Sequence, residues 1–384
     1  MKQTVELKNL KTKSNGHEIK YYIKTFGCQM NEYDSEKVSG ILQSDGMEKV
    51  EDYQYADVLF INTCTIRENA DNKLYGTLGE LKKWKNAKSN RKLIVGGCAS
   101  QKDKDIVRKK APWVDVVLGT NNIGNLLNLI QYSDQNGPIT EITEKFSDSF
   151  INIESVHSSN TTGMLTIQVG CDNNCTFCIV PSVRGEEKSR RPLEIFEDAV
   201  KLSQQGYKEI MLLGQNVNSY GRDLKINNKI RPYFLELLMM INEIDEIKRI
   251  RFVSPHPKDV NEKLIDVIDT NKKICNHIHL PLQSGSDKIL FDMKRGYTQK
   301  KYMSKVRLIK DASNDISITS DVIVGFPGES EDDFINTLEV VEDTGFDSIF
   351  MYKFSPRPGT IAETFIDKYI PQEIIDDRFN RLKD

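Results

Sequence analysis

The run Cys171-Asp172-Asn173-Asn174-Cys175-Thr176-Phe177-Cys178 constrains this chain more than any other stretch. Three thiols this close together can meet at one centre, and the apolar residues 165–169 deliver them straight from a predicted strand. Three ligands leave a four-coordinate site one short. A structural zinc would have to borrow a distant fourth ligand, whereas an iron–sulfur cubane on three thiolates keeps one iron open to a small molecule. The spacing alone leaves both readings standing.

Three further cysteines follow a slower rhythm. Apolar runs at 21–23, 58–62 and 93–95 predict strands, with helical patterns at about 34–43 and up to about 85, and Cys28, Cys64 and Cys98 each fall just after a strand. The separations are 36 and 34 residues (64 − 28 and 98 − 64), about one strand-helix unit each. Parallel strands would place all three on the carboxyl edge of one sheet, where open α/β folds bind ligands. Buried cysteines can also serve as small hydrophobes, but their matched positions favour a second ligand set. A strand at 114–118 and a helix at about 123–130 complete this domain.

The second half repeats the alternation six times, with strands predicted at 165–169, 209–213, 249–253, 277–280, 317–324 and 348–354. The fold class is therefore α/β, an N-terminal open parallel α/β domain followed by a partial (β/α)6 barrel. The expected boundaries are a loose lead-in at 1–20, the first domain at 21–135, a Gly-, Pro- and Ser-marked linker at 136–162 and the barrel at 163–384. Each barrel strand ends in turn chemistry beside a polar group: Gly214-Gln215-Asn216, Ser254, Gln283, Gly325 and Arg357. Taken singly these are ordinary βα turns. Their recurrence at one end marks a site, in which glycines admit a ligand and amides pair with an amino-acid head group or a ribose. Arg184, Lys188, Arg190 and Arg191 follow the cysteine loop and are candidates for a phosphate or a substrate carboxylate. Ion pairing with Glu186 and Glu187 is their plainer role. His277, His279 and Cys275 are assigned none.

Composition limits the alternatives. Seven cysteines in 384 residues, an odd number with three clustered, do not make a disulfide framework. Apolar runs are too short to span a membrane and the first twenty residues too polar for a signal peptide, so a cytoplasmic protein is expected. A net charge of −3 offers no global field for nucleic acid. Residues 82–110 do hold eleven Lys and Arg against two Asp, a local basic patch or simply solvated helix faces.

The CxxxCxxC loop with Phe177 before its last cysteine resembles the signature of radical S-adenosylmethionine (SAM) enzymes. With both cysteine sets, Thr25-Phe26-Gly27-Cys28-Gln29-Met30-Asn31 and Leu213-Gly214-Gln215-Asn216-Val217-Asn218-Ser219-Tyr220, the chain resembles the methylthiotransferases of that group from about residue 20 onward. Those two motifs resemble the branch modifying isopentenyladenosine beside the tRNA anticodon. The branch acting on a ribosomal-protein aspartate typically has proline where Gln29 stands, and a third branch acts on threonylcarbamoyladenosine in tRNA.

The resemblance implies two 4Fe-4S clusters, a SAM-cleaving one on Cys171, Cys175 and Cys178 and an auxiliary, sulfur-carrying one on Cys28, Cys64 and Cys98. It implies two SAM molecules, one methylating the sulfur and one yielding the radical that takes hydrogen from C2 of adenine. SAM contacts are expected at Phe177, Gly214, Gln215, Asn216, Ser254, Gln283 and Gly325, and no catalytic Ser-His or carboxylate pair is needed. Expected partners are a tRNA anticodon stem-loop, a sulfur donor and an electron donor such as a flavodoxin or ferredoxin. Relatives of this kind continue into a small RNA-binding β-barrel, which is expected to be missing here. A zinc-dependent RNA-binding protein using residues 82–110 is the competing class.

Overall fold

The computed structural model describes residues 18–65, 68–143, 155–226, 228–313 and 315–384, side chains of 68–72 excepted. They divide into two compact units, one ending at Ser158 but including Ser182–Gly185, the other Ser159–Pro181 with Glu186–Asp384.

The first unit is built on six parallel strands: β1 Lys20–Thr25, β2 Glu48–Lys49, β3 Val58–Thr63, β4 Lys92–Gly97, β5 Val116–Leu118 and β6 Ile139–Glu141, in the order β2-β1-β3-β4-β5-β6. Every residue of β3 is buried, as a central strand covered on both faces requires. Its crossovers are α1 Gln29–Ser44, α2 Glu68–Asn86, α3 Cys98–Asp103, α4 Asp105–Lys110 and α5 Leu126–Asn136. Leu74, Leu78, Leu81 and Trp84 of α2 bury their apolar stripe against Leu59, Ile61, Leu93 and Val95.

Two expectations shift. α1 begins at Gln29 rather than near residue 34, because its polar first turns are buried by specific partners: Asn31 and Ser35 by Asn62, and Asp34 by Arg184. The supposed linker at 136–162 contains β6, an edge strand too short to show a periodicity, whose Ile139 N–H donates to Asp115 O at 2.8 Å. Residues 156–158 are also held, since Glu36 of α1 takes the Ser158 N–H at 2.8 Å and the His157 ring at 2.8 Å. The remainder of the linker, 144–154, and the lead-in up to residue 17 lie outside the described residues.

In the second unit β7 Thr162–Thr166, β10 Glu209–Leu213 and β11 Arg249–Phe252 form one parallel sheet, and β12 His277–His279, β13 Ser317–Val324 and β14 Ser348–Lys353 another. A parallel bridge from Ile250 to Ile274 stitches them, with Ile250 N–H donating to Lys273 O at 2.7 Å. Six strands in chain order thus make the partial barrel. Residues on β13 alternate between half-buried and buried, with Ile318, Val322 and Val324 turned to the helix layer.

That layer comprises α7 Pro192–Gln204, α8 Phe234–Asn242, α9 Glu262–Thr270, α10 Asp287–Asp292, α11 Gln299–Lys310, α12 Glu331–Thr344 and α13 Gln372–Lys383, after the short α6 Val180–Arg184. The predicted strand at 165–169 is broken. Ile167 still bonds Leu213, but Gln168 and Val169 form β8, which pairs antiparallel with β9 Lys188–Ser189 and fences in the cysteine loop.

Candidate metal centres

In the first unit the cysteines sit at the carboxyl ends of β1, β3 and β4. Glycine makes their convergence possible. Gly27 has φ +125°, and a Cβ there would stand 2.8 Å from Cys64 Cβ. Gly97 has φ +94°, and its Cβ would fall 2.3 Å from Asn62 Oδ1. Asn31 ties the edge together, donating to Phe26 O at 2.9 Å and Thr63 O at 2.8 Å while its Oδ1 lies 3.9 Å from both Cys28 Sγ and Cys98 Sγ.

Arg184 reaches the same oxygen at 3.1 Å and Asp34 Oδ2 at 2.6 Å. Burial raises the Cys98 thiol to about 11, with Arg184 opposing the shift. A metal held here would have to displace protons from the thiols. A buried guanidinium beside the thiols suits an anionic bound group, while among the described residues Asp34 Oδ1 and Thr65 Oγ1 have no partner.

In the second unit each loop thiol has an N–H donor. Cys171 Sγ accepts from Asn173 N at 3.5 Å and Nδ2 at 3.4 Å, Cys178 Sγ from Val180 N at 3.4 Å, and Cys175 Sγ from Arg295 Nη1 at 3.3 Å. Burial raises Cys178 to about 12 and also raises Cys171, against the Asn173 bonds. Among the described residues no three His, Cys, Asp or Glu side chains meet at single-ion spacing. A cubane asks instead for one thiolate per iron.

The loop is anchored by Thr176, whose N–H donates to Met293 O at 3.1 Å and whose O accepts from Ala362 N at 2.8 Å. Phe177, expected at SAM, packs against Ile289, Met293, Phe326 and Ala362 and fastens the loop.

The strand-end loops gather beside it. Gln168 Nε2 donates to Asn216 O at 2.8 Å, Asn218 Nδ2 to His256 O at 3.0 Å, and Ile323 N–H to Gln283 O at 2.9 Å. Ser254 and Gln283 both have positive φ, +59° and +67°, an uncommon conformation for residues with side chains and one concentrated at functional sites.

Among the described residues the buried acceptors Gln168 Oε1, Glu187 Oε1, Gln215 Oε1 and Asn216 Oδ1 have no partner. Each unmet acceptor costs about 1–3 kcal/mol, so the set fits a ligand rich in donors, as an ammonium and ribose hydroxyls are. Gln168 and Glu187 were not legible as site residues. At Gly325 a Cβ would lie 2.5 Å from Ile375 Cγ1, so its smallness admits α13.

The basic candidates separate. Arg184 is paired with Asp34, Arg190 donates to Asp198 at 2.6 Å and to Thr166 O at 3.1 Å, and Arg357 is 8% exposed. These three are buried and cannot present charge to a large polyanion. Lys188 and Arg191 are exposed.

A partial parallel barrel with a three-cysteine loop beside its strand ends defines a radical SAM enzyme. The chain matches the Radical SAM superfamily over residues 165–341 and the Uncharacterized protein family UPF0004 over residues 20–119. A tRNA-2-methylthio-N(6)-dimethylallyladenosine synthase of Corynebacterium jeikeium is 43% identical over 100% of this chain and 75% of its own length. One from Corynebacterium glutamicum is 44% identical over 94% of this chain and 70% of its own. The chain belongs to the tRNA-2-methylthio-N(6)-dimethylallyladenosine synthase family.

The radical SAM methyltransferase TsrM of Kitasatospora setae, solved with cobalamin and a 4Fe-4S cluster, superposes with a TM-score of 0.61 at 12% identity, covering 90% of this chain and 77% of that one. At that identity the likeness is one of fold. 4Fe-4S clusters and SAM are the cofactors of this enzyme class.

Proposed function

We propose that this enzyme adds a methylthio group to C2 of N6-isopentenyladenosine beside the anticodon of tRNA. The observation that carries the reading is the presence of two separate three-cysteine sets in a chain 43% identical to such a synthase along its whole length. Bound clusters and SAM supply the electron, the carbon radical and the activated sulfur that no side chain here can provide.

The protein's part is to hold and position. Cys171, Cys175 and Cys178 hold the SAM-cleaving cluster, and Cys28, Cys64 and Cys98 the auxiliary one. Gln168, Glu187, Gln215 and Asn216 accept hydrogen bonds from SAM, with Gly214, Ser254 and Gln283 shaping the same pocket. An aromatic C–H is no acid for a protein base, so no Ser-His or carboxylate pair is assigned. Lys188 and Arg191 meet the RNA backbone. The functional division follows residues 21–135 and 163–384.

A flavodoxin- or ferredoxin-like protein delivers electrons and a separate donor replenishes sulfur. Among the described residues no helix is long and apolar enough to cross a membrane, and a tRNA substrate calls for a cytoplasmic site of action. Oxygen-free incubation with SAM, a one-electron reductant, sulfide and an anticodon stem-loop bearing isopentenyladenosine tests the reading. Nucleoside mass analysis should reveal the methylthio product. SAM cleavage with an unmodified base throughout would refute it.

A further inference from the structure

Arg295 lies in the turn after α10, within Met293-Lys294-Arg295-Gly296-Tyr297, and is 6% exposed. Its guanidinium donates to Cys175 Sγ at 3.3 Å, to Tyr297 Oη at 3.2 Å and to Pro281 O at 3.4 Å, and sits over the Tyr297 ring. Among the described residues no carboxylate lies within ion-pair distance of it. Three other buried arginines do have one, Arg184 with Asp34, Arg190 with Asp198 and Arg378 with Glu329, whereas buried Arg91 donates to the Trp84 and Gln54 carbonyls. A guanidinium keeps its proton in any protein environment, and a buried charge without a counter-ion costs several kcal/mol. Beside Cys175 such a cation suits a negative group occupying the site in the working protein, and its ionisable neighbours include Cys175, Cys178, the Tyr297 phenol and His256.

We infer that Arg295 is the counter-charge of the cluster held by Cys171, Cys175 and Cys178, acting through Cys175 to make its one-electron reduction easier. The inference rests on the cluster assignment proposed above. Reduction adds one negative charge to a group already bearing thiolates, and the electron comes from an external one-electron donor protein. Arg295 gains and loses no proton. A fixed cation and an N–H···S bond stabilise the more negative state preferentially, which raises the reduction potential. Arg295 is a positioning residue, since it acts on the cofactor through a ligand. Its fork also spans to Pro281 O in the loop after β12, so charge and loop geometry are set by one side chain.

The test is an EPR-monitored redox titration of the full-length Cys28→Ala/Cys64→Ala/Cys98→Ala protein, which isolates this cluster, with Arg295 intact or changed to Lys, Gln or Met. At the potential where the parent is half reduced, Arg295→Met should lower the ratio of reduced to oxidised cluster about tenfold, about 59 mV for one electron. Arg295→Lys should restore part of the difference. Arg295→Gln, which keeps a donor without charge, should fall between parent and Met and gives the reading should the Met variant not hold iron. An unchanged midpoint in Gln and Met variants carrying about four irons would overturn the inference. Loss of iron from the parent itself would instead overturn the cluster assignment.

Discussion

Arg184 Nη2 lies 2.6 Å from Asp34 Oδ2, with both side chains buried beside Cys28 and Cys98. Breaking such a pair from one side strands a charge away from water, at a cost of about 3–5 kcal/mol. Arg184→Met should therefore destabilise the first unit by about that much in urea unfolding, and bound iron should fall toward half. Arg184→Met with Asp34→Asn should recover much of the stability.

Gly97 ends β4 just before Cys98 at φ +94°, and alanine there meets Asn62 Oδ1 and the Thr63 backbone. Gly46 has a similar φ, +87°, with nothing within 4 Å of the added carbon. Both substitutions carry backbone strain of about 1–3 kcal/mol, but the Gly97→Ala carbon also pushes on the turn that aims Cys98. Iron analysis should reveal loss of the auxiliary cluster in Gly97→Ala and full loading in Gly46→Ala.

His256 is held neutral. Burial, with Arg295, Lys258 and Arg222 adding, lowers its pKa to about 2, and its Nδ1 accepts the Lys258 N–H at 3.2 Å. The unfolded chain takes up this proton near 6.5 while the folded protein refuses it. Stability is thus complete above pH 6.5 and falls as the pH drops below it, by at most about 1.4 kcal/mol per pH unit. Unfolding free energies at about pH 7 and about pH 5 should differ less in His256→Gln than in the wild type. Equal slopes would show that His256 does not contribute.

Exposed Lys188 and Arg191 should contribute to RNA affinity electrostatically. Replacing either with Gln is expected to weaken tRNA binding without sequence preference and to reduce the slope of log K against log salt by about one for each phosphate no longer neutralised. Binding assays over a salt series check this. An unchanged slope would move the RNA interface elsewhere.

The fold was legible because period and spacing carry it. Strand runs such as 209–213 and 317–324 coincide with β10 and β13, and each cysteine of the first set follows its strand. Short edges were not, because three residues of β6 hold no periodicity. Nor was the division among the basic residues, since Arg184, Lys188, Arg190 and Arg191 look alike until Asp34 and Asp198 are folded against two of them. Arg295 escaped notice for the opposite reason. It sits in a turn, where side chains carry no pattern, and its meaning comes from Cys175, which is 120 residues away (295 − 175).

The most direct test of two clusters on two cysteine sets is iron and sulfide analysis of protein reconstituted without oxygen, wild type beside Cys28→Ala/Cys64→Ala/Cys98→Ala. Two cubanes give about eight irons in the wild type and about four in the variant, with visible absorption halved. Zinc in place of iron, or an iron content the substitutions leave unchanged, would contradict a cluster in the first unit and the methylthiolation that depends on it.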